Sequence, residues 1–156
     1  MELSYQVTEP KTPEELKLYY EARHRILIEP LGLSVEAGRD DIEEISVHRQ
    51  VIDDKGNVVG ISRLHYNSDK EGQVRYVGVE ESLRGKGLAQ RMMQELETVA
   101  KEKGIEEIVL NSRDYAVPFY LKLGYQNIKP TAMQVGIPHF EMRKKLVEKD
   151  EVQKGI

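Results

Sequence analysis

The sequence predicts an α+β domain in which a mixed sheet carries helices. Its hydrophobic residues recur at intervals of two in some segments and of about 3.6 in others, which distinguishes strands from helices. These segments follow one another in the order β, α, β, β, β, α, β, α, β. The 156 residues, of which 39% are hydrophobic, suit a single domain. We expect that domain to span residues 1–146, with a charged tail over residues 147–156.

The composition excludes several classes of function. The chain contains no Cys, which removes thiolate catalysis, Cys-ligated zinc, iron–sulfur clusters and disulfide scaffolds. It has 27 acidic and 23 basic side chains, and a net charge of -4 gives little counterion-release energy on nucleic acid. We find no apolar run of membrane length and no hydrophobic signal-peptide segment. We therefore expect a cytoplasmic protein with no nucleic-acid or membrane partner.

Local patterns predict the first strand and the first helix. Residues 3–8 alternate between apolar and polar side chains, which is typical of a half-buried strand. Thr12, Pro13 and Glu15 form a capping box with Pro at the first helical position. The Thr hydroxyl and the Glu carboxylate can each accept a hydrogen bond from an unpaired backbone N–H. Apolar residues then continue at helical spacing until Pro30, where we expect the helix to stop.

A long connection and three strands follow this helix. Residues 31–44 are acidic and contain glycine, so we expect an exposed connection of the kind that often borders a substrate cleft. Its carboxylates, between residues 36 and 44, either attract a cationic amine or are simply solvated. The three β-like runs should form an antiparallel meander with a tight turn over residues 53–57. These runs cover residues 45–52, 58–66 and 73–79.

The second half begins after Val79, where the period changes from two to 3.6. An apolar helical stripe extends over residues 88–100 and ends at Gly104, with Met92 and Met93 as core residues. A short apolar strand should then cover residues 105–111.

A helix and a final β region complete the order. Asp114 can cap a helix that contains residues 115–123. The final β region covers residues 125–146, and we expect its two prolines to break it.

The most informative segment covers residues 77–89. Here a strand leads through a loop with two glycines and two cations into a helix N-terminus, where free N–H groups and the helix dipole favour an anion such as a pyrophosphate. Two nucleotide motifs are excluded. A P-loop needs Ser or Thr after its Lys, but Gly87 follows Lys86. The dinucleotide fingerprint fails because its third glycine would fall at Gln90.

Two motifs resemble those of the GNAT acetyltransferases. Residues 84–89 resemble the acyl-CoA signature R-x-x-G-x-G/A, and residues 116–125 look like the family helix A-x-x-F-Y-x-x-x-G-F/Y. Residues 110–113 and 136–142 are similar to the ElaA-type branch of the family. The resemblance implies a central, mixed, mostly antiparallel sheet with helices on both faces. It also implies an N-acetyltransferase that moves an acetyl group from acetyl-CoA to a primary amine by direct attack in a ternary complex.

The resemblance also implies where acetyl-CoA binds. The Val77 amide would face the acetyl oxygen, and the backbone of Val79 would pair with the pantetheine arm. The pyrophosphate would be held by the backbone amides of Arg84, Gly85, Lys86, Gly87, Leu88 and Ala89. Further contacts are expected from Asn111, Arg113 and Phe119. Arg113 stands where many members carry an Asn that contacts coenzyme A, so it contacts the cofactor, reaches a phosphate or pairs with Asp114.

By the same resemblance, Tyr120 is the general acid for the departing CoA thiolate. A phenol with a pKa of about 10 can donate a proton to a sulfur of comparable basicity. The alternative is an aromatic residue of the core.

The general base is harder to assign. Many members carry a carboxylate or His on the strand before the phosphate loop, but Gln73 and Arg75 stand there in this chain. We expect His139 to substitute as a catalytic residue, since histidine titrates near neutrality. A structural, substrate-binding or metal role is the alternative, and Glu141 and His65 are weaker candidates for the base.

The remaining histidines, His24 and His48, should pack or lie at the surface. No pair of candidate ligands has the spacing of a metal site, so we expect no metal. The acceptor is expected to be a small-molecule amine, and the resemblance favours a homodimer. The alternative function is a catalytically silent acyl-CoA-binding sensor or scaffold, which could bind the cofactor without needing Tyr120.

Overall fold

The computed structural model describes residues 4–146, and the predicted tail over residues 147–156 lies outside the described residues. The elements follow the predicted order, except that the final β region consists of two strands. The strands are β1 (Gln6–Thr8), β2 (Val47–Ile52), β3 (Val58–Tyr66), β4 (Glu71–Val79), β5 (Glu107–Arg113), β6 (Gln126–Gln134) and β7 (Ile137–Lys145). The helices are α1 (Pro13–Arg23), α2 (Leu88–Glu102) and α3 (Val117–Lys122).

The seven strands form one sheet in the order β1-β2-β3-β4-β5-β7-β6. Strands β4 and β5 are parallel. The other pairings with a described register, β1–β2, β2–β3, β5–β7 and β6–β7, are antiparallel. This mixed sheet with helices confirms the predicted α+β fold class. The described residues divide into two compact units, one of residues 4–65 and 76–96 and the other of residues 66–75 and 97–146.

Helix α1 begins with the predicted capping box. The Thr12 hydroxyl accepts from the Glu15 N–H at 3.1 Å, and the Glu15 carboxylate accepts from the Thr12 N–H at 3.0 Å. The helix does not continue to Pro30. After Arg23 the backbone forms a π-helical turn, His24–Ile28, and Pro30 lies inside the 3₁₀ turn that follows. Proline is tolerated there because the first residues of a helical turn need no N–H donor.

The connection between α1 and β2 is not the fully exposed segment that the sequence predicts. It contains two 3₁₀ turns, Val35–Gly38 and Glu43–Ile45. The Glu43 side chain is buried, because its carboxylate meets the guanidinium groups of Arg23 and Arg63. Neither of the two expected roles, attraction of an amine or simple solvation, therefore applies to Glu43.

The core of the first unit contains two clusters, one in which strand residues pack with α2 and one in which strand residues pack with α1. Met92 and Met93 are fully buried, as predicted. One cluster consists of Val51, Val59, Val79, Leu88 and Met92, and a second consists of Tyr19, Ala22, Val58 and Ile61. Leu88 and Val79 anchor the two ends of the segment that connects β4 to α2.

The prediction that prolines break the last β region is wrong. Strand β6 lies at the edge of the sheet, so Pro130 sits where a missing N–H costs little. Pro138 precedes His139, the first residue of β7 with a described partner in β5. The two strands are joined instead at Val135 and Gly136, both with positive φ, as a two-residue hairpin turn requires.

Candidate functional site

The loop between β4 and α2 is shaped for close approach by a ligand. Gly85 and Gly87 have φ of 83° and 80°, and a Cβ atom built at either would meet nothing within 4 Å. Residues 84–87 are exposed, whereas Leu88 is buried and fixes the start of the 15-residue helix. This arrangement presents backbone N–H groups beside the cations of Arg84 and Lys86. It can hold an anion such as a pyrophosphate.

The strand before the loop has two features that bear on binding. The described pairing of β4 with β5 runs from Glu71 to Val74, so the residues up to Val79 lie beyond it. The Val79 carbonyl accepts a 3.3 Å hydrogen bond from Arg84 Nε. Val77 is half-buried, and Tyr76 before it has a left-handed backbone with φ of 58°. No sequence pattern predicts this conformation of Tyr76, because tyrosine favours strands and carries no signal for positive φ.

Tyr120 belongs to an aromatic cluster at α3. Its side chain is almost buried, and its ring meets those of Phe119 and Tyr125 edge-to-face at centroid distances of 5.0 and 5.7 Å. Burial raises the pKa of Tyr120, and the nearby charge of Arg113 only partly opposes this effect. The phenol therefore keeps its proton at neutral pH, as a general acid must.

Tyr125 is held in place by a charged pair. Its hydroxyl donates to Glu97 at 2.7 Å, and Lys144 Nζ donates to the same carboxylate at 2.9 Å. Burial, followed by the charge of Glu97, raises the pKa of Tyr125. The ring that packs against Tyr120 is therefore fixed at both its face and its hydroxyl.

The predicted cofactor contacts on β5 lie near its C-terminal end. Asn111 is exposed, and Arg113 Nη1 donates to the Tyr115 hydroxyl at 2.8 Å. Asp114 does not cap α3 as predicted. It begins a 3₁₀ turn, Asp114–Ala116, and its carboxylate accepts from the Tyr115 N–H, while Ala116 occupies the N-cap position of α3.

His139 is the middle member of a polar row across three strands. It is opposite Arg113 on β5 and opposite Thr131 on β6. Its exposed fraction is 6%, and Nδ1 lies 2.8 Å from the carbonyl oxygen of Ile137. Since a carbonyl only accepts, Nδ1 carries the proton, and Nε2 of the neutral ring can accept one. Thr131 Oγ1 is buried without a hydrogen-bond partner among the described residues.

The other candidate bases are engaged elsewhere. Glu141 accepts from Arg143 Nε at 3.0 Å, and His65 Nδ1 lies 3.2 Å from Arg63 Nη2. Gln73 is half-buried and Arg75 is exposed. These contacts leave His139 as the candidate with an available acceptor nitrogen.

The two histidines expected to pack or lie at the surface do so. His48 is buried against Tyr19, with Nδ1 at 2.9 Å from its hydroxyl, and His24 is half-buried, with Nε2 at 3.3 Å from the Leu33 carbonyl oxygen. Within residues 4–146, no three or more His, Asp or Glu side chains are grouped so that they could hold a metal ion. Over the same residues, no helix is both long enough and apolar enough to span a membrane.

Comparison with known proteins places these features in a family. The chain matches the family model of the acetyltransferase (GNAT) domain over residues 32–146. The uncharacterized N-acetyltransferase YjcF of Bacillus subtilis is 31% identical over 135 residues, which cover 86% of this chain and 95% of that protein. The structure of an aminoglycoside 6'-N-acetyltransferase complexed with coenzyme A matches with a TM-score of 0.76 and 16% identity, over 92% of this chain and 98% of that one. Escherichia coli ElaA matches with a TM-score of 0.68 and 17% identity, over 92% and 99% of the two chains. Both structures share the fold of this chain.

Proposed function

The chain belongs to the GNAT acetyltransferase family and is an acyltransferase, and we propose that it transfers an acetyl group from acetyl-CoA to a primary amine. The reaction we propose is a direct attack in a ternary complex. The observation that carries the proposal is the loop between β4 and α2, where two left-handed glycines leave open space beside two exposed cations. No covalent enzyme intermediate is expected, because the sequence has no Cys and no Ser beside a His in a triad-like motif.

The cofactor contacts that we propose follow the β4 strand and its loop. The backbone amides of residues 84–89 bind the pyrophosphate, and the Val79 backbone pairs with the pantetheine arm. The Val77 N–H polarises the acetyl carbonyl. The end of the β4–β5 pairing at Val74 supports this proposal, because the later residues of β4 lie outside it. Asn111, Arg113 and Phe119 provide further contacts to the cofactor.

Two side chains carry the proton transfers. His139 Nε2 accepts the proton that the amine loses as the new C–N bond forms. Tyr120 donates its proton to the thiolate released when the C–S bond breaks, giving free CoA and the N-acetylated amine. A tyrosine is protonated at neutral pH, which supports the second role, and the acceptor nitrogen of His139 supports the first. Each role is a proton transfer at a stated atom.

We propose a small-molecule amine as the acceptor. A cytoplasmic location, expected from the composition, and a homodimer, favoured by the family resemblance, belong to the same proposal. The alternative is a protein that binds acyl-CoA without catalysis. Amine-dependent release of free thiol separates the two functions, since a sensor or scaffold would bind acetyl-CoA and release none.

The first experiment is calorimetric titration with acetyl-CoA and with CoA, followed by a thiol-release assay on a pooled panel of amines.

Gly87→Val should raise the acetyl-CoA KM sharply, because a β-branched residue disfavours positive φ and fills the space of the ligand. Gly56→Val is the matched control. Gly56 has a similar φ of 82° and equally open surroundings, but it lies in the β2–β3 turn. Equal KM values for the two variants would contradict the loop assignment.

Tyr120→Phe tests the general acid. It removes the hydroxyl and keeps the ring contacts with Phe119 and Tyr125, so kcat should fall about 10²-fold or more while acetyl-CoA affinity stays close to that of the wild type. Tyr66→Phe serves as the control for loss of a tyrosine hydroxyl, since that ring packs against Lys103. Unchanged kcat in Tyr120→Phe would refute the acid role.

A further inference from the structure

Tyr76 has a backbone conformation that its residue type does not favour. Among residues 4–146, Tyr76 and Val135 are the non-glycine residues with positive φ, and Val135 lies in a hairpin turn that requires it. Tyr76 instead interrupts strand β4 with a left-handed φ of 58°. A residue with a Cβ atom keeps this conformation inside a strand only when the surrounding structure holds it there.

Two buried guanidinium groups hold the Tyr76 ring. The central carbon of Arg23 lies 4.1 Å from the ring centroid, and that of Arg63 lies 5.0 Å from it. Both arginines are almost completely buried, with exposed fractions of 1% and 0%. A cation close to an aromatic ring and shielded from water is attracted more strongly than one at the surface. The ring of Tyr76 is therefore fixed by two charges that water does not screen.

The two guanidinium groups are themselves fixed. Glu43 Oε2 lies 2.9 Å from Nη1 of both arginines, and Asp40 accepts two hydrogen bonds from Arg63 at 2.7 and 2.9 Å. Arg23 also donates to the Tyr19 hydroxyl at 3.1 Å. These contacts set the positions of both cations, and the position of the Tyr76 ring follows from theirs.

The backbone two residues later is held from another direction. A Cβ atom at Gly78 would lie 2.8 Å from Leu27 Cδ2 and 2.9 Å from Ile26 Cγ2. Both side chains belong to the π-helical turn after α1. Such turns inside helices are frequent at functional sites. Arg23 and Arg63 therefore contact the ring of Tyr76, and Ile26 and Leu27 pack closely against Gly78. Val77 lies between these two points of contact.

We propose that Tyr76 is a positioning residue whose ring, held by Arg23 and Arg63, fixes the direction of the Val77 N–H toward the acyl carbonyl. The peptide that carries this N–H joins Tyr76 to Val77, so its direction depends on the backbone angles of Tyr76. The inference rests on the proposed function, because it needs a bound acetyl group. In this role the Tyr76 side chain orients the backbone and touches no reacting atom.

The test is infrared spectroscopy of acetyl-CoA labelled with ¹³C at the acetyl carbonyl and bound to the protein. A hydrogen bond from a fixed donor lowers the carbonyl stretching frequency, and this readout does not respond to stability alone. Tyr76→Gly removes the ring and adopts positive φ without strain, so the fold should persist. Tyr76→Asn is a second variant that tolerates this backbone. Tyr76→Phe keeps the ring and is the matched control.

In the wild type and in Tyr76→Phe we expect the same lowered carbonyl frequency. In Tyr76→Gly and Tyr76→Asn the frequency should return at least halfway to that of free acetyl-CoA. Affinity for acetyl-CoA should fall by up to about tenfold, while affinity for CoA changes less than about twofold, as expected for one lost hydrogen bond to the acetyl group.

The outcomes separate the two proposals. A wild-type protein that binds no acetyl-CoA would overturn the proposed function, and the inference with it. A lowered frequency in the wild type that persists in Tyr76→Gly and Tyr76→Asn would overturn the inference alone. Loss of the shift in Tyr76→Phe would also overturn it, since that variant keeps the ring contacts.

Discussion

Replacement of Glu43 by Gln should destabilise the protein more than any ordinary surface change. The Glu43 carboxylate lies 2.9 Å from both Arg23 Nη1 and Arg63 Nη1, and all three side chains are buried. Arg63 would keep Asp40, whereas Arg23 would keep the Gly38 carbonyl and the Tyr19 hydroxyl, neither of which is charged. One buried cation is then left without an anion.

Loss of one partner from a buried ion pair costs about 3–5 kcal/mol. Glutamine can still accept a hydrogen bond at this position, so we expect about 3 kcal/mol, the lower end of that range. The stabilisation should also depend on pH. Burial alone would raise the pKa of Glu43, but the hydrogen bonds and charge of Arg23 lower it below its ordinary value of 4.5. The contribution is therefore complete above the unfolded pKa and is lost as pH falls through the lower folded pKa.

Urea unfolding followed by circular dichroism measures this effect, since the chain has no Trp for fluorescence. Glu44→Gln is the matched control, because Glu44 is the exposed neighbour on the same 3₁₀ turn. It should change the free energy of unfolding by less than about 0.5 kcal/mol. A Glu43→Gln variant within about 1 kcal/mol of the wild type would refute the reasoning, as would a difference that grows on acidification.

Three further substitutions test other contacts. Burial lowers the pKa of His48 below its ordinary value of 6.5, so below pH 6.5 the unfolded chain binds a proton that the folded chain excludes. The free energy of unfolding should therefore decrease as the pH is lowered below 6.5. His48→Gln should reduce this slope by up to about 1.4 kcal/mol per pH unit in urea unfolding, and equal slopes would contradict it. Tyr125→Phe should cost about 1–2 kcal/mol by the same assay, because it removes the 2.7 Å hydrogen bond to Glu97, and a neutral result would show that this bond adds nothing. Gly38→Ala should cost about 1–3 kcal/mol, since its Cβ would lie 2.5 Å from Ile28 Cγ1, and unchanged stability would mean that Ile28 moves freely.

The parts of the fold that depend on near neighbours in sequence were predictable. The capping box of α1 needs only residues three apart, and the structure forms both of its hydrogen bonds. Strand β3 has the predicted bounds, and α2 begins at the predicted residue, because both have regular apolar patterns. The GNAT resemblance is also confirmed, since it rests on two short motifs with fixed spacing.

The features that depend on distant parts of the chain were not predictable. Pro130 was expected to break a strand, but its tolerance depends on the place of β6 at the sheet edge. The burial of Glu43 depends on Arg23 and Arg63, which are each 20 residues away in opposite directions. No local pattern distinguishes a carboxylate that meets such partners from a solvated one.

In the candidate site, too, the features with a local sequence pattern were predictable and those that depend on distant residues were not. Gly85 and Gly87 were expected from their motif, and both have the positive φ that only glycine adopts easily. Tyr76 lies just outside the motif and was missed. Its ring contacts the guanidinium groups of Arg23 and Arg63, which are distant in sequence, whereas glycine adopts positive φ without such contacts.

Glu43 contributes to the stability of the fold and, through Arg23, to the proposed site. These two contributions can be separated experimentally. Glu43→Gln loosens Arg23, which contacts both the carboxylate and the Tyr76 ring, so unfolding free energy and the bound acetyl carbonyl frequency should change together. Tyr76→Gly loses the ring contacts but removes the strain of a left-handed tyrosine, so its stability should change less while the carbonyl frequency changes as much. If the frequency followed stability in both variants, the ring would matter only for folding. If it changed as much in both variants although only Glu43→Gln lost much stability, the buried charges would serve the site by holding one peptide group in place.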